Sequence, residues 1–285
     1  MSSRLTQLSR SVAGRTAIVT GSASGMGRAT AHLFADEGAN VVVADLGEER
    51  VAAVVDEIAA AHGADRVLGQ VTDVADPAAL RALVDATVGR FGGLDIVVNN
   101  AGISGVSSMF LPEDEFEDVW SRTLAVNLTA YARLVRLALP HLLESDGARI
   151  VNIASTEAIV ATGGLPAYSA TKAGVTGLTR NLAVELGRHG ITANCICPGP
   201  INTGMTSSID DSAKEIYAKR RVPLRRWRSR GGRPDDAEPA PPGGVVPQRG
   251  DHPGGRRDDG APHLNHRDRT SDEPGPADAT AVPSG

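Results

Sequence analysis

Six short apolar runs alternate with segments of helical periodicity along most of this chain, and that alternation restricts the fold more than any other feature. Residues 16–20, 41–45, 67–71, 94–98, 148–154 and 191–197 read as buried strands. Helical segments separate them. One follows a glycine-rich turn and runs to about Glu37, where Gly38 ends it. A second covers 48–62, with Val51, Val54, Val55 and Ile58 on one stripe. A third covers 77–91, opened by Asp76-Pro77. A fourth covers most of 113–143, as a short helix followed by a long one ending near Glu144. A fifth covers 168–188. Strands alternating with helices of this length build a parallel α/β sheet, wound doubly because right-handed crossovers place helices on both faces. Ligands of such sheets bind beyond the carboxyl ends of the strands, near the switch in strand order.

The polar clusters fall at those ends. Thr20-Gly21-Ser22-Ala23-Ser24-Gly25-Met26-Gly27 follows the first strand and opens a helix. Its glycines permit a tight turn and close approach of a pyrophosphate to the backbone, and the helix N-terminus favours the negative charge. The spacing is G-x-x-x-G-x-G, and no Gly-Lys-Ser/Thr follows, so a nucleoside triphosphate loop is excluded. Asp45 ends the second strand. A carboxylate there accepts hydrogen bonds from both adenosine ribose hydroxyls and repels a 2′-phosphate. Leu46 follows it in place of an arginine, and Ser24 stands in the loop in place of a basic residue. All three choices favour NAD over NADP. The architecture expected is therefore a three-layer, Rossmann-type fold.

Tyr168-Ser-Ala-Thr-Lys172 puts a phenol and an ammonium one helical turn apart on the same face. An ammonium near a phenol favours the phenolate. Bringing a phenol from its usual pKa of about 10 to near neutrality takes about 4 kcal/mol of differential stabilisation. The result would be a proton donor and acceptor usable at neutral pH. The spacing is common in helices, so it gains weight only from its neighbours.

Taken together, these stretches resemble the classical short-chain dehydrogenase/reductase family over about residues 14–227. Thr20 to Gly27 corresponds to the family's cofactor loop, in which Gly21, Ser24, Gly25, Met26 and Gly27 would meet the dinucleotide. Asp73-Val74 corresponds to the pair that meets the adenine. Asn99-Asn100-Ala101-Gly102 corresponds to the motif that braces the fourth strand and lines the cofactor. Asn127 and Ser155 stand where the family has a catalytic asparagine and serine, the serine thirteen residues before Tyr168. Pro198-Gly199, with Ile201 and Thr203, corresponds to the segment that holds the nicotinamide carboxamide. The resemblance implies an NAD(H)-dependent interconversion of a secondary alcohol and a ketone. Tyr168 would exchange a proton with the substrate oxygen. Lys172 would support the phenolate and bind the nicotinamide ribose, Ser155 would donate to the substrate oxygen, and Asn127 would hold a relay water. No metal is implied. A noncatalytic dinucleotide-binding or redox-sensing protein, and an inactive product with an altered C-terminus, are the competing readings.

The substrate pocket is expected between the segment after Gly102, residues 156–166, and a mobile segment from about Pro200 to Val222. Ile103, Val106, Met109, Ile159, Val160, Leu165 and Met205 suit a carbon skeleton of some size, but they do not name it. The net charge of −5 argues against nucleic-acid binding. No run of 18 apolar residues, and no apolar core within residues 1–13, points to a membrane or an export signal, so a cytoplasmic protein is expected. Cys195 and Cys197 read as buried apolar residues rather than as a disulfide or metal site.

After Trp227 the resemblance stops. The 58 residues from Arg228 to Gly285 contain only Val245, Val246, Leu264 and Val282 as large aliphatic or aromatic residues. Such a stretch is expected to be disordered. Pro234, Pro239, Pro241, Pro242 and Pro247 exclude the final helix and seventh strand with which the family would continue. An acquired tail is one explanation. A reading-frame shift near Trp227 is the favoured one, because this composition is what an out-of-frame reading of GC-rich DNA produces. Eight arginines against ten acidic residues rule out a basic nucleic-acid arm. Loss of the last strand puts the family's usual tetramer in doubt. A homodimer through the two long helical segments, 113–143 and 168–188, remains open.

Overall fold

Runs of β-branched and small apolar residues form the centre of the molecule. The computed structural model describes residues 11–207, 209–221 and 228–229. The elements in chain order are β1 (Thr16–Thr20), α1 (Gly25–Asp36), β2 (Asn40–Asp45), α2 (Glu48–His62), β3 (Val67–Val71), α3 (Pro77–Phe91), β4 (Ile96–Asn99), α4 (Glu113–Leu124), a π turn (Ala125–Thr129), α5 (Ala130–Glu144), β5 (Arg149–Ile153), α6 (Pro166–Gly187), β6 (Thr192–Ile196), β7 (Ile201–Asn202), α7 (Asp211–Arg221) and β8 (Arg228–Ser229). Strands β1 to β6 form one sheet in the order β3-β2-β1-β4-β5-β6. Every pairing in it is parallel.

Side chains alternate across the sheet and feed two cores. Ile18, Val42, Ala44, Val97 and Ile150 pack with α3, α5 and α6. Val41 and Val43 pack with Val51, Val54 and Ile58 of α2 and with Ala31 and Ala35 of α1. Ala17, Val19, Ile96 and Val98 continue that second face. The result is three layers, helices on both sides of a parallel sheet, as the alternation of strands and helices requires. The strand order reverses between β1 and β4, so their carboxyl ends bound the crevice where a ligand of this fold sits.

Helices α2 and α3 begin and end where their sequence signals put them. Asp76 caps α3 by accepting from the Ala78 amide at 2.8 Å, and Gly92 closes it in the left-handed region. The fourth strand starts at Ile96 rather than Leu94. Asp95 instead ties three segments together: its carboxylate accepts from the Thr16 amide at 2.8 Å and pairs with Arg15, while its carbonyl accepts from the Arg149 amide. Within residues 200–222, expected to be mobile, lies α7, which buries Ala218. Cys195 and Cys197 are free and only half-buried, packed at the border of the larger core rather than inside it. Among the described residues the main sheet ends at β6. The tail expected to be disordered from Arg228 begins instead with β8, whose Arg228 and Ser229 pair in parallel with Ile201 and Asn202 of β7; residues 230–285 lie outside the described residues, as do residues 1–10.

Candidate active site

The glycine loop joins β1 to α1 at the crevice. Gly21 and Gly25 adopt φ of +65° and +54°, conformations that cost a residue with a Cβ. A Cβ on Gly27 would lie 2.1 Å from the Gly21 carbonyl oxygen, and one on Gly21 would lie 2.8 Å from the Ala101 Cα. The loop is thus folded tightly against residues 100 and 101. Asn100 holds it there, its Nδ2 donating to the carbonyls of Thr20 (2.8 Å) and Gly21 (3.1 Å). The Thr20 hydroxyl accepts from the amides of Asn100 and Ala101 at 3.0 and 3.1 Å. Ser22 is fully buried and fastens the same loop to β2, accepting from the Ala44 amide at 3.0 Å.

At the start of α1, Ser24 makes no side-chain cap. The amides of the first turn therefore keep donors free for an anion. Asp45 is oriented beside them: one carboxylate oxygen accepts from the Ala23 amide at 3.0 Å and the other from the Leu46 amide at 2.8 Å. Arg50 reaches the second oxygen at 3.5 Å. Thr203 closes the far side, its Cγ2 being 3.4 Å from where a Cβ on Gly25 would sit. The Pro198 carbonyl accepts from the Thr156 amide at 3.0 Å and so aligns the 198–203 segment with the end of β5. Asp73 turns its carboxylate onto the Ala75 amide, and Val74 is buried. Uncapped amides, a glycine cradle and an oriented carboxylate at the second strand's end together suit a dinucleotide.

Asn99 differs from its neighbours. It is buried, and its Nδ2 donates inward to Asn152 at 2.8 Å, while Asn152 donates to Thr179 at 2.9 Å. It braces β4 against β5 and α6. Gly102 lies beside two of the candidate groups: a Cβ there would sit 3.4 Å from Asn127 Oδ1 and 3.5 Å from Lys172 Nζ, ordinary contact distances.

Asn127 and Lys172 flank that point; Tyr168 adjoins Lys172, and Ser155 hydrogen-bonds Tyr168. Asn127 occupies the middle of the π turn and is fully buried. Its side chain makes a two-way bond with the Ile103 backbone, accepting from the amide and donating to the carbonyl, both at 2.8 Å. Lys172 is 3 % exposed. Its ammonium donates to the Ile153 carbonyl at 2.8 Å and lies 5.5 Å and 5.7 Å from the ring centroids of Tyr131 and Tyr168. Ser155 ends β5, and its hydroxyl accepts from the Glu157 amide at 3.1 Å.

The electrostatics differ from the sequence-based expectation. Burial pushes the Tyr168 phenol above its ordinary range; the Ser155 hydrogen bond opposes this and the Glu157 carboxylate adds to it. Burial also brings Lys172 down to about 8, and it does so more strongly than its neighbours act. The lysine does not depress the phenol here, because its ammonium is bonded to a backbone carbonyl rather than to the phenol oxygen. The Tyr168 phenol is therefore un-ionised at neutral pH.

Sequence reasoning passed over Tyr131, Asn152, Thr179 and Glu157. Tyr131 follows Asn127 by one helical turn, a usable signal, and its hydroxyl donates to the Ala101 carbonyl at 2.9 Å. Glu157 stands two residues beyond Ser155, which marks it as site-adjacent. Asn152 and Thr179 carry no signal apart from being polar within apolar runs. Among the described residues no group of three or more His, Cys, Asp or Glu side chains could hold a metal. No helix of the described residues is long and apolar enough to cross a membrane.

The crevice and its phenol–ammonium pair define a dinucleotide-dependent oxidoreductase. The chain belongs to the short chain dehydrogenase family, which it matches over residues 15–214. It is 43 % identical over 206 residues to (2S)-[(R)-hydroxy(phenyl)methyl]succinyl-CoA dehydrogenase subunit BbsD of Thauera aromatica, covering 72 % of this chain and 81 % of that one. It is 40 % identical to a D-beta-hydroxybutyrate dehydrogenase of Cupriavidus necator, covering 67 % and 72 %. The crystal structure of a dehydrogenase/reductase from Sinorhizobium meliloti 1021 is similar to it with a TM-score of 0.70 and 37 % identity, over 77 % of this chain and 84 % of that one. Members of this family work on small molecules with a nicotinamide dinucleotide.

Proposed function

We propose that this protein interconverts a secondary alcohol and a ketone, using NAD(H) in preference to NADP(H). The observation that carries the reading is the chain of neighbours Ser155, Tyr168, Lys172 and Asn127, which reaches Gly102 next to the residues that hold the glycine loop. The bound cofactor would supply the hydride in reduction and accept it in oxidation. In reduction, Tyr168 donates its phenolic proton to the substrate oxygen as that oxygen gains charge. Ser155 donates a hydrogen bond to the same oxygen. Lys172 faces the tyrosine ring and steadies the phenolate that forms. Asn127 fixes the Ile103 segment beside Lys172, and a water there would return a proton from solvent. Gly21, Ser24, Gly25, Met26 and Gly27 would hold the pyrophosphate; Asp73 and Val74 the adenine; Asn100, Ala101 and Gly102 the cofactor's inner edge, with Asn99 bracing them from behind. Pro198, Gly199, Ile201 and Thr203 would hold the nicotinamide end.

Asp45 supports NAD: its carboxylate is already oriented by two amides, so a 2′-phosphate would meet a fixed negative charge. The test is a panel of neutral ketones and alcohols with NAD(H) and NADP(H). Turnover with NADH at least about tenfold better than with NADPH is expected, and Asp45→Ala should narrow that ratio. A preference for NADPH would contradict the reading. Binding of NADH without turnover of any alcohol or ketone would favour a sensor instead.

A further inference from the structure

Two stretches, 103–112 and 156–166, adjoin the start of α6 that carries Tyr168, and a third, 199–207, continues from Pro198 beside them. They are tied together at the site. The Ser107 amide donates to the Gly164 carbonyl at 2.9 Å, and the Ser107 hydroxyl accepts from the Ala167 amide at 3.1 Å. The Thr156 amide donates to Pro198. Large apolar side chains are left exposed on them: Val106, Met109, Ile159, Val160 and Met205 are 46–74 % exposed. Across all three stretches the sequence contains one ionisable side chain, Glu157. The lysines on the following helix, Lys214 and Lys219, are paired with Asp211 and Glu215.

Glu157 is held in place. One carboxylate oxygen accepts from the Thr162 hydroxyl at 2.8 Å. The other accepts from the Thr162 amide at 2.8 Å and from the Ser169 hydroxyl at 3.4 Å. Its own amide donates to Ser155, and Ser169 adjoins Tyr168. The charge is thus fixed beside both groups that would hold the substrate oxygen, with no cation among the three stretches to offset it.

We propose that Glu157 determines the charge of the substrate: the site takes keto and hydroxy compounds whose neighbouring group is neutral, such as an ester, a thioester or a hydrocarbon, and rejects those with a free carboxylate next to the reacting carbon. This rests on Tyr168 and Ser155 holding the substrate oxygen. With that oxygen in place, a carboxylate two bonds from the carbonyl carbon cannot move far from Glu157. Repulsion between fixed like charges at such range, in a partly desolvated site, is worth about tenfold or more in binding and turnover. None of the three stretches supplies a compensating cation. The chain would then differ from a hydroxybutyrate dehydrogenase despite its similarity to one.

The experiment compares methyl acetoacetate with acetoacetate as substrates of the full chain with NADH, in the wild type and in Glu157→Gln. The two substrates differ at the acyl end alone, a neutral methyl ester in one and a free carboxylate in the other, and E157Q separates the charge from the added methyl group. The glutamine keeps an acceptor for Thr162 and removes the charge. The wild type should show kcat/KM at least about tenfold higher for the ester, and E157Q should bring the ratio toward one. E157Q should also let the Tyr168 phenol ionise at lower pH, read by ultraviolet titration of tyrosinate against a Tyr168→Phe control, a change that loss of a purely structural tether would not produce. Equal use of both substrates by the wild type, or an unchanged ratio in E157Q, would overturn the inference while leaving the proposed function standing. Failure to reduce the ester or any neutral ketone, with NADH still bound, would overturn the proposed function and this inference with it.

Discussion

Lys172 is an ammonium buried among aromatic rings, and it costs the fold stability. Its pKa falls from 10.5 to about 8 because burial disfavours the charge. Between those values the unfolded chain binds more protons than the folded one, so stability rises with pH across that window. Below about pH 8 the full cost is present, of the order of 3 kcal/mol. Replacement by a neutral isostere should relieve part of it. Lys172→Met is expected to raise Tm, by an amount corresponding to about 1–2 kcal/mol, and to abolish turnover. The Ile153 carbonyl loses its ammonium donor in that variant and keeps beside it only the Tyr131 hydroxyl, 3.3 Å away and shared with the Ala101 carbonyl. A lower Tm in thermal unfolding would mean that the buried charge is not a net cost. The same value sets the pH dependence of reduction. Lys172 carries its charge below about pH 8 and loses it above, while Tyr168 stays protonated well beyond neutrality. Ketone reduction should hold steady to about pH 8 and then decline. A decline that begins near pH 6 would point to another group.

At the scale of elements, the strands and helices were legible because hydrophobic period and turn chemistry agreed. Val51, Val54 and Ile58 marked the buried stripe of α2, and Asp76-Pro77 marked the start of α3. The π turn at Ala125–Thr129 was not legible. Its residues suit an ordinary helix, and the widened turn is accompanied by a tertiary bond, Asn127 to the Ile103 backbone. Asn99 and Asn100 illustrate the same limit. Adjacent and identical in chemistry, they point to opposite sides of β4's end, one into the sheet core and one onto the glycine loop. The motif gave their presence but not this division. Asn127→Ala removes partners from a part-buried amide and a part-buried carbonyl at once. It should lower stability by about 2–4 kcal/mol, read as a lower denaturant midpoint at unchanged m value. A loss below about 0.5 kcal/mol would show that water replaces the side chain at no cost.

For the whole molecule, β6 is paired on one side only among the described residues. In a parallel sheet that edge is normally covered or paired. The composition after Trp227 motivates a specific proposal: the coding DNA, read in another frame past that codon, should yield an apolar helix and a strand. A chain with that continuation should melt at a higher temperature and assemble beyond a dimer in light scattering. An alternative frame without such a helix and strand would remove the proposal. The proposed catalytic groups do not depend on it directly, since Asn127, Tyr168 and Lys172 lie on helical segments packed into the larger core and Ser155 follows β5 of the main sheet.

Tyr168 is proposed to pass the proton between this protein and a substrate oxygen beside a nicotinamide. The rate of NADH oxidation by Tyr168→Phe with a neutral ketone, set against the wild type with NADH affinity measured on both, tests that role. A loss of turnover of at least about a hundredfold is expected, with NADH affinity changed by less than about threefold because the phenol does not hold the cofactor's charge. Turnover retained in Tyr168→Phe would contradict it.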